Sequence, residues 1–265
     1  MPRPRFGRTL GSNAAAAEGL LLSLHFPTLA RLCGAEYAVL TTALQKRVRV
    51  LEPKQDIISE GEQPGTVIVI IEGWAQRYKQ LVDGRRQILS FVIAGDLCHS
   101  NFALDFMDHS LAAVTRIKIG AISRFEFQDI IDRSPQLAQA LWRSEIVTAA
   151  MQREWTVSVG RRTACERVAH LFCEMFLRLE AIGATDGNAC EFPLRQLEIA
   201  EATGLTQVHV NRTVQDLRRD RLIELHHRRL VVLDLERLMT VALFNPAYLN
   251  LQRQATPGSR RKSTG

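Results

Sequence analysis

Cysteine is sparse in this chain. Cys33, Cys98, Cys165, Cys173 and Cys190 are scattered and odd in number, and no two are spaced as a Cys-x-x-Cys pair. That argues against a disulfide framework and against a four-thiolate metal site. Cys165 and Cys173 lie eight apart in a helical stretch, where burial as small apolar residues is the default, and a reducing, cytoplasmic setting suits such thiols. Also lacking is any apolar run long enough to span a membrane. The N-terminus carries Arg3, Arg5 and Arg8 ahead of Ala14 to Ala17 and Leu20 to Leu22, the outline of a signal peptide. The apolar part is short and broken by Glu18, so residues 1–24 are read as a flexible tail leading into a helix.

What is present is enough apolar matter for proper cores, 46% of 265 residues, a length that favours two domains or one large one. The net charge is +6, with basic clusters at Arg3 to Arg8 and at Arg260, Arg261 and Lys262. Such a balance suits a polyanionic partner without singling one out. The closing QATPGSRRKSTG has the composition of a disordered tail.

The most informative stretch is RQLEIAEATGLTQVHVNRTVQDL, Arg195 to Leu217. Gly204 supplies the positive φ of a sharp turn between two helices, and small Ala200 beside Ile199 lets them approach. Thr206 is placed to cap the second helix. Val210, Val214 and Leu217 then recur at helical spacing as a buried stripe, leaving Gln207, Val208, Asn211, Arg212, Gln215 and Arg219 on the other side. In a helix-turn-helix the first turns of the second helix enter the major groove. Gln207, Val208, Asn211 and Arg212 are therefore the candidate base-reading residues: Arg212 for guanine, Gln207 for adenine, Val208 for a thymine methyl. His209 lies to one side and suits a phosphate. An ordinary helical hairpin with a solvated face fits the same pattern. The next segment tips the balance. Arg221 to Leu225 and Leu230 to Leu233 read as strands around a basic turn, His226-His227-Arg228-Arg229. That is a hairpin wing whose Arg228 and Arg229 can hold the phosphate backbone. Adjacent histidines with no cysteine or acidic set nearby read as turn residues rather than metal ligands.

From Arg47 to Phe125 the texture is different. Short β-branched runs (Val48 to Leu51, Val67 to Ile71, Trp74 to Leu81, Gln87 to Ile93, Ala112 to Ile122) alternate with turn signals, Asp83-Gly84 the strongest. Arg124-Phe125 is expected to belong with the last strands. The reading is an antiparallel barrel or jelly-roll-like β-roll. A metal-dependent enzyme on a cupin-like roll is the second class considered, but it needs converging histidines, and there is no His-x-His pair; His99 and His109 stand alone on their segments. A third class is a ligand-binding module whose helical half binds protein. Between the halves, Leu137, Leu141, Ser144, Thr148, Met151, Trp155 and Ser158 recur every three or four residues in a run without Gly or Pro. Leu137, Leu141, Thr148, Met151 and Trp155 are the candidate dimer seam; a helix packed on its own domain is the alternative.

In this order the pieces resemble the Crp/Fnr family of bacterial transcription regulators. The resemblance runs over residues 44–249 and rests on Glu60-Gly61-Glu62, Gly65, Glu72-Gly73, Asp83-Gly84-Arg85 and Gly95-Asp96-Leu97, then on Gly204-Leu205-Thr206, Val210, Arg212 and the passage from Leu217 to Ile223. It implies an α+β fold with no enzymatic activity: a cyclic-nucleotide-binding-like sensor β-roll (25–133), a long dimerisation helix (134–160), a C-terminal winged helix-turn-helix (161–242), and an extension with a disordered tail (243–265). It implies a cytoplasmic homodimer on double-stranded DNA of two-fold symmetry, with RNA polymerase as a further partner. Family base contacts fall on Gln207, Val208, Asn211 and Arg212, and phosphate contacts on Thr206 and His209. The departures are equally informative. Cyclic-nucleotide-binding members follow the Gly-Asp step with Gly-Glu-Leu and an Arg-Ser/Thr-Ala; here Cys98-His99-Ser100-Asn101 follows, His109-Ser110-Leu111 stands near the expected arginine, and no arginine lies between Arg86 and Arg116. A buried cyclic phosphate needs a cation, so no cAMP binding is expected. An iron–sulfur cluster needs an N-terminal cysteine group, and only Cys33 is there. No metal or cofactor is assigned. A redox or metal role for Cys98 and His99, or a haem held by His25, His99 or His109, has nothing specific in its favour.

Overall fold

A computed structural model of the protein describes residues 38–98 and 105–251. The first half is built from short strands: β1 (Val48–Leu51), β2 (Asp56–Ile58), β3 (Thr66–Glu72), β4 (Ala75–Gln80), β5 (Arg86–Val92), β6 (Ser110–Ala113) and β7 (Ile117–Ser123). They form two antiparallel sheets, ordered β1-β7-β3 and β2-β6-β4-β5. Ile68, Ile70, Ala75, Val92, Leu111, Ile117 and Ile119 fill the space between them. The β3–β4 corner turns at Gly73 with φ +88°, where a Cβ would lie 2.6 Å from the carbonyl oxygen of Arg116, so only glycine fits. The Asp83-Gly84 turn joins β4 to β5 as expected, with the Leu81 N–H donating to Arg85 O at 2.8 Å. The run from Ala112 to Ile122 supplies two strands, β6 and β7, divided at residues 114–116, where Val114 and Thr115 N–H both turn to Trp74 O. Arg124-Phe125 is not strand but opens helix α1 (Arg124–Asp132), capped by Ser123, which accepts from the Glu126 N–H.

Helix α2 (Pro135–Arg161) follows, capped by Ser134 with proline in its first turn. Its 27 residues make it about 40 Å long. Then come α3 (Ala164–Ala181), the hairpin β8 (Thr185–Asp186) and β9 (Ala189–Glu191), α4 (Gln196–Thr203), α5 (Gln207–Arg219), β10 (Ile223–His226), β11 (Arg229–Val232) and α6 (Leu235–Val241), with a 3-10 turn at Pro246–Leu249. β8 to β11 form one sheet, ordered β10-β11-β9-β8. The two halves share a core. Trp74, Ile88, Phe91 and Ile93 of the roll pack in one cluster with Trp155 of α2, with Phe172 and Phe176 of α3, and with Phe192. Ring centroids lie 6.2 Å apart for Trp74 and Phe91, 6.0 Å for Phe91 and Trp155, and 5.9 Å for Trp74 and Phe192, all edge-on.

Helix α2 carries two unlike faces. Leu137 has no solvent exposure and packs on the roll with Ala140 and Leu141. Trp155 and Met151 pack into the shared core. Four of the five residues expected at a dimer seam are therefore committed within their own chain, and Thr148 lies half-buried beside them. On the opposite face Trp142 is 68% exposed, Ile146 51% and Val157 47%, with Ala149 between them. Periodicity identifies a buried stripe correctly but cannot say that its cover is the chain itself.

Candidate nucleic-acid interface

The helix pair α4–α5 is assembled by local chemistry. The backbone N–H of Arg195 donates to Glu198 Oε2 at 2.9 Å, and the two side chains pair, closing a capping arrangement at the start of α4. The helix buries Ile199, Ala200, Ala202 and Thr203. Gly204 ends it at φ +66°, and the Leu205 N–H returns to Ala200 O at 3.0 Å. Thr206 then adopts extended backbone and its Oγ1 accepts from the His209 N–H at 3.2 Å, starting α5. Val210, Thr213, Val214 and Leu217 face inward.

What remains outside is a single open face. Gln207, Val208, His209, Asn211, Arg212 and Gln215 are exposed, Val208 at 80%. An aliphatic side chain held that far into water at the first turn of a helix contributes nothing to folding. The side chains of Gln207, Asn211 and Arg212 make no hydrogen bond or ion pair among the described residues, which leaves their donors and acceptors pointing to solvent. Thr206 Oγ1 is used as an acceptor, and its own proton is still free to donate.

Beside this face stands the wing. β10 and β11 pair from Ile223↔Val232 to His226↔Arg229. The turn is two residues, narrower than the four expected: His227 and Arg228, at φ +48° and +63°. Both lie in the left-handed region that suits a two-residue hairpin, and both side chains are exposed. Arg229 pairs across the sheet with Asp186 at 2.8 Å. Gln215, Arg218, Arg219 and Arg221 line an open cleft between the end of α5 and the wing, together with Glu224. Sequence reasoning did not single out Arg218 or Arg221; the run Arg218-Arg219-Asp220-Arg221 was the available signal. Arg219 is partly neutralised by Asp216 at 2.9 Å.

Among the described residues Cys98, Cys173 and Cys190 sit in the cores, and Cys165 is half-buried. Burial pushes the thiols of Cys98 and Cys173 up to about 12 and that of Cys190 up to about 11, so they are protonated and inert at neutral pH. Burial, with Asp216 and Asp220 close by, also raises Cys165 at the start of α3. Among the described residues no three His, Cys, Asp or Glu side chains gather as a metal site. Cys33, His25 and His99 lie outside the described residues, as do both tails.

Two family models divide the chain along these lines. Residues 48–134 match the cyclic nucleotide-binding domain, and residues 166–241 match the Crp-like helix-turn-helix domain. The nitrogen fixation regulation protein FixK of Bradyrhizobium diazoefficiens is 31% identical over 191 residues, 71% of this chain and 78% of that protein. The transcriptional activatory protein AadR of Rhodopseudomonas palustris is 32% identical over 196 residues, 72% of this chain and 79% of that protein. The chain belongs to the Crp/Fnr family. The structure of FixK2 from Bradyrhizobium japonicum has the same fold, with a TM-score of 0.67 at 24% identity over 74% of this chain and 96% of that one. This Crp/Fnr member is accordingly a DNA-binding transcription regulator with an α+β fold, an antiparallel sheet domain followed by a helix-turn-helix domain. No helix among its described residues is long and apolar enough to cross a membrane.

Proposed function

We propose that two copies of this chain bind a two-fold symmetric DNA site in the cytoplasm, each copy laying the first two turns of α5 in the major groove. Gln207, Val208, Asn211 and Arg212 read base edges; Thr206, His209, Arg228 and Arg229 hold phosphates. The observation that carries this reading is the split of α5 itself: one side fills the core with Val210, Val214 and Leu217, and the other offers bonding groups and an aliphatic side chain with no partner among the described residues. The two copies join through the outward face of α2, at Trp142, Ile146, Ala149 and Val157, the stripe that its own chain leaves uncovered. Membership of the family implies RNA polymerase as a further partner and no catalytic activity.

The roll gives a reason to look away from cAMP. Ser110, near the place where nucleotide-binding members carry an arginine, has its hydroxyl engaged by the Glu60 N–H at 2.9 Å. The guanidinium of Arg77 is held by Leu97 O, Cys98 O and Ser90 Oγ at 2.8 to 3.2 Å. Arg77 is thus engaged within the roll, and between Arg86 and Arg116 the chain has no arginine to meet a cyclic phosphate.

Selection from a random duplex pool with the purified protein, followed by the same selection with Arg212→Ala, tests the assignment. The wild type returns a palindrome. The variant loses its preference at one base pair of each half-site, a discrimination of about 1–3 kcal/mol. An Arg212→Ala protein that recovers the unchanged palindrome removes that arginine from base reading.

A further inference from the structure

Two carboxylates and one guanidinium meet where four segments of the chain converge. Arg178, in the last turn of α3, is buried. Its Nη2 donates to Asp96 Oδ2 at 2.5 Å, 82 residues away in the roll, and its Nη1 donates to Phe91 O at 3.2 Å. Asp96 is itself fixed to β3 and to the residue after β5: its carboxylate accepts from the Ile93 N–H at 2.8 Å and its carbonyl from the Ile70 N–H at 3.2 Å. Behind Arg178 lies Glu174, 1% exposed, whose Oε1 is 3.8 Å from Nη1. Glu174 accepts from Trp155 Nε1 of α2 at 3.1 Å and from the Tyr248 hydroxyl of the C-terminal segment at 2.8 Å. Roll, long helix, DNA-reading domain and C-terminal segment are thus tied at one point.

The shared core around this point is apolar and its attraction has little direction. Flat aromatic contacts of the Phe91–Trp155 kind permit a small slide or tilt. Charge-assisted bonds from a planar guanidinium do not, because each fixes an angle as well as a distance. Arg178 between Asp96 and Glu174 is the directional element that reaches all four segments; other polar links join pairs of elements, Arg86 to Glu201 at 2.6 Å and Gln87 Nε2 to Ala202 O at 3.3 Å between β5 and α4, and Gln152 Nε2 to Leu89 O at 3.1 Å between α2 and β5.

We propose that Arg178, with Asp96 and Glu174, is the positioning group that sets the angle of the DNA-reading domain on the roll, and through it the separation of the two recognition helices. The proposal rests on the two-fold reading above. In that reading α5 of each copy is placed in space only through the domain that carries it and the seam of α2.

The test uses the full chain and three sets of duplex: the palindrome selected by the wild type, the same duplex with one half-site scrambled, and duplexes with the spacer changed by one or two base pairs. Asp96→Asn keeps an acceptor for the Ile93 N–H and removes the charge; Arg178→Lys keeps the charge beside Glu174 and removes the fork. Each variant is expected to bind the palindrome about tenfold more weakly, within the usual range of coupling between sites. Each is also expected to lose most of its spacer preference and to bind the single half-site as the wild type does. Thermal melts establish that the variants are folded, and the less perturbing one carries the test if the other is not. A folded variant that keeps the wild-type spacer preference overturns the proposal, as does one that loses palindrome and half-site affinity by the same factor. A wild type that binds one half-site as well as two overturns the two-fold reading instead, a result visible before any variant is made.

Discussion

Replacing Ile146 by glutamate puts a carboxylate in the middle of the uncovered stripe of α2. Full burial of an isoleucine side chain is worth roughly 1.5–3 kcal/mol. Ile146 is 51% exposed in the single chain, so about 1 kcal/mol is still to be gained when a partner covers it, and about 2 kcal/mol for the two copies across a two-fold axis. The glutamates add an opposing cost: two carboxylates lose water side by side, which raises the total to at least about 3 kcal/mol. That is a dimer dissociation constant raised about a hundredfold or more. Because the position faces solvent in the lone chain, the fold itself should change by under about 0.5 kcal/mol. Sedimentation across micromolar protein concentrations reads the association, and urea unfolding reads the fold. Leu137→Ala is the contrasting variant. Its side chain is fully buried against the roll, so it should lower stability by roughly 2–5 kcal/mol through a cavity while leaving the α2 outer face intact. If folded Ile146→Glu protein stays dimeric at low micromolar concentration, the partner does not sit on this stripe.

Two further outcomes follow from the wing and from α3. Arg228→Ala should weaken binding to every DNA sequence alike, and the slope of log affinity against log salt should become shallower by about 0.9 for each phosphate no longer neutralised, about 1.8 per dimer; an unchanged slope means that the wing tip does not touch phosphate. His170 is buried between Phe244 and Tyr248, with ring centroids 4.8 and 6.0 Å away, and its Nε2 has no hydrogen-bond partner among the described residues. Burial first, and the nearby Arg162 second, lower it from 6.5 to about 3. Glu154 Oε2, 3.7 Å from the ring, would favour the cation, but that carboxylate is already taken by Arg162 at 3.0 Å. The unfolded chain therefore takes up a proton below about pH 6.5 that the folded chain refuses, and stability present at neutral pH is lost as pH falls toward 3. Between pH 7.5 and 5.0 this amounts to about 2 kcal/mol, measurable by urea unfolding. His170→Phe should abolish that part of the loss, and equal losses in both proteins would show that His170 is not its source.

How much of this is legible in the sequence depends on how local each cause is. Gly204 and Thr206 announce a turn and a cap because the required φ and the capping hydroxyl belong to those residues alone. The same holds for Asp83-Gly84 in the roll. Two equally local signals are easily passed over: Ser123-Arg124-Phe125-Glu126 has the spacing of a helix start, and Asp186-Gly187 marks the β8–β9 hairpin that widens the wing sheet and holds Arg229 through Asp186. The stripe on α2 is legible as a stripe, yet whether Leu137 and Trp155 meet a second copy or their own roll is a question about partners, and spacing carries no information on partners. Less legible still is the junction at Arg178. Asp96, Trp155, Glu174, Arg178 and Tyr248 are single polar or aromatic residues from distant segments, with no period and no motif to join them.

That junction and the outer face of α2 bear on the same quantity. Two recognition helices reading one face of DNA must be about one helical repeat apart, roughly 34–36 Å. Take half of that, about 17 Å, as the lever arm from the two-fold axis to each helix. A domain tilt of only about 5° then moves the reading face by about 1.5 Å, enough to stretch a hydrogen bond of about 3 Å beyond the distance at which it holds. Two dimer seams of equal strength would give different regulators if the domain angle differed by that amount. An apolar core such as the one joining Trp74, Phe91, Trp155 and Phe192 supplies most of the attraction between the domains, but it resists separation better than rotation. The angle has to be set by bonds with direction, and those that join roll, α2, α3 and the C-terminal segment at one point converge on Arg178 and Glu174. The separation of functions in the proposal is then physical: α2 would decide whether two copies meet, the open side of α5 which bases they accept, and the charge pair between roll and α3 how far apart those bases must be.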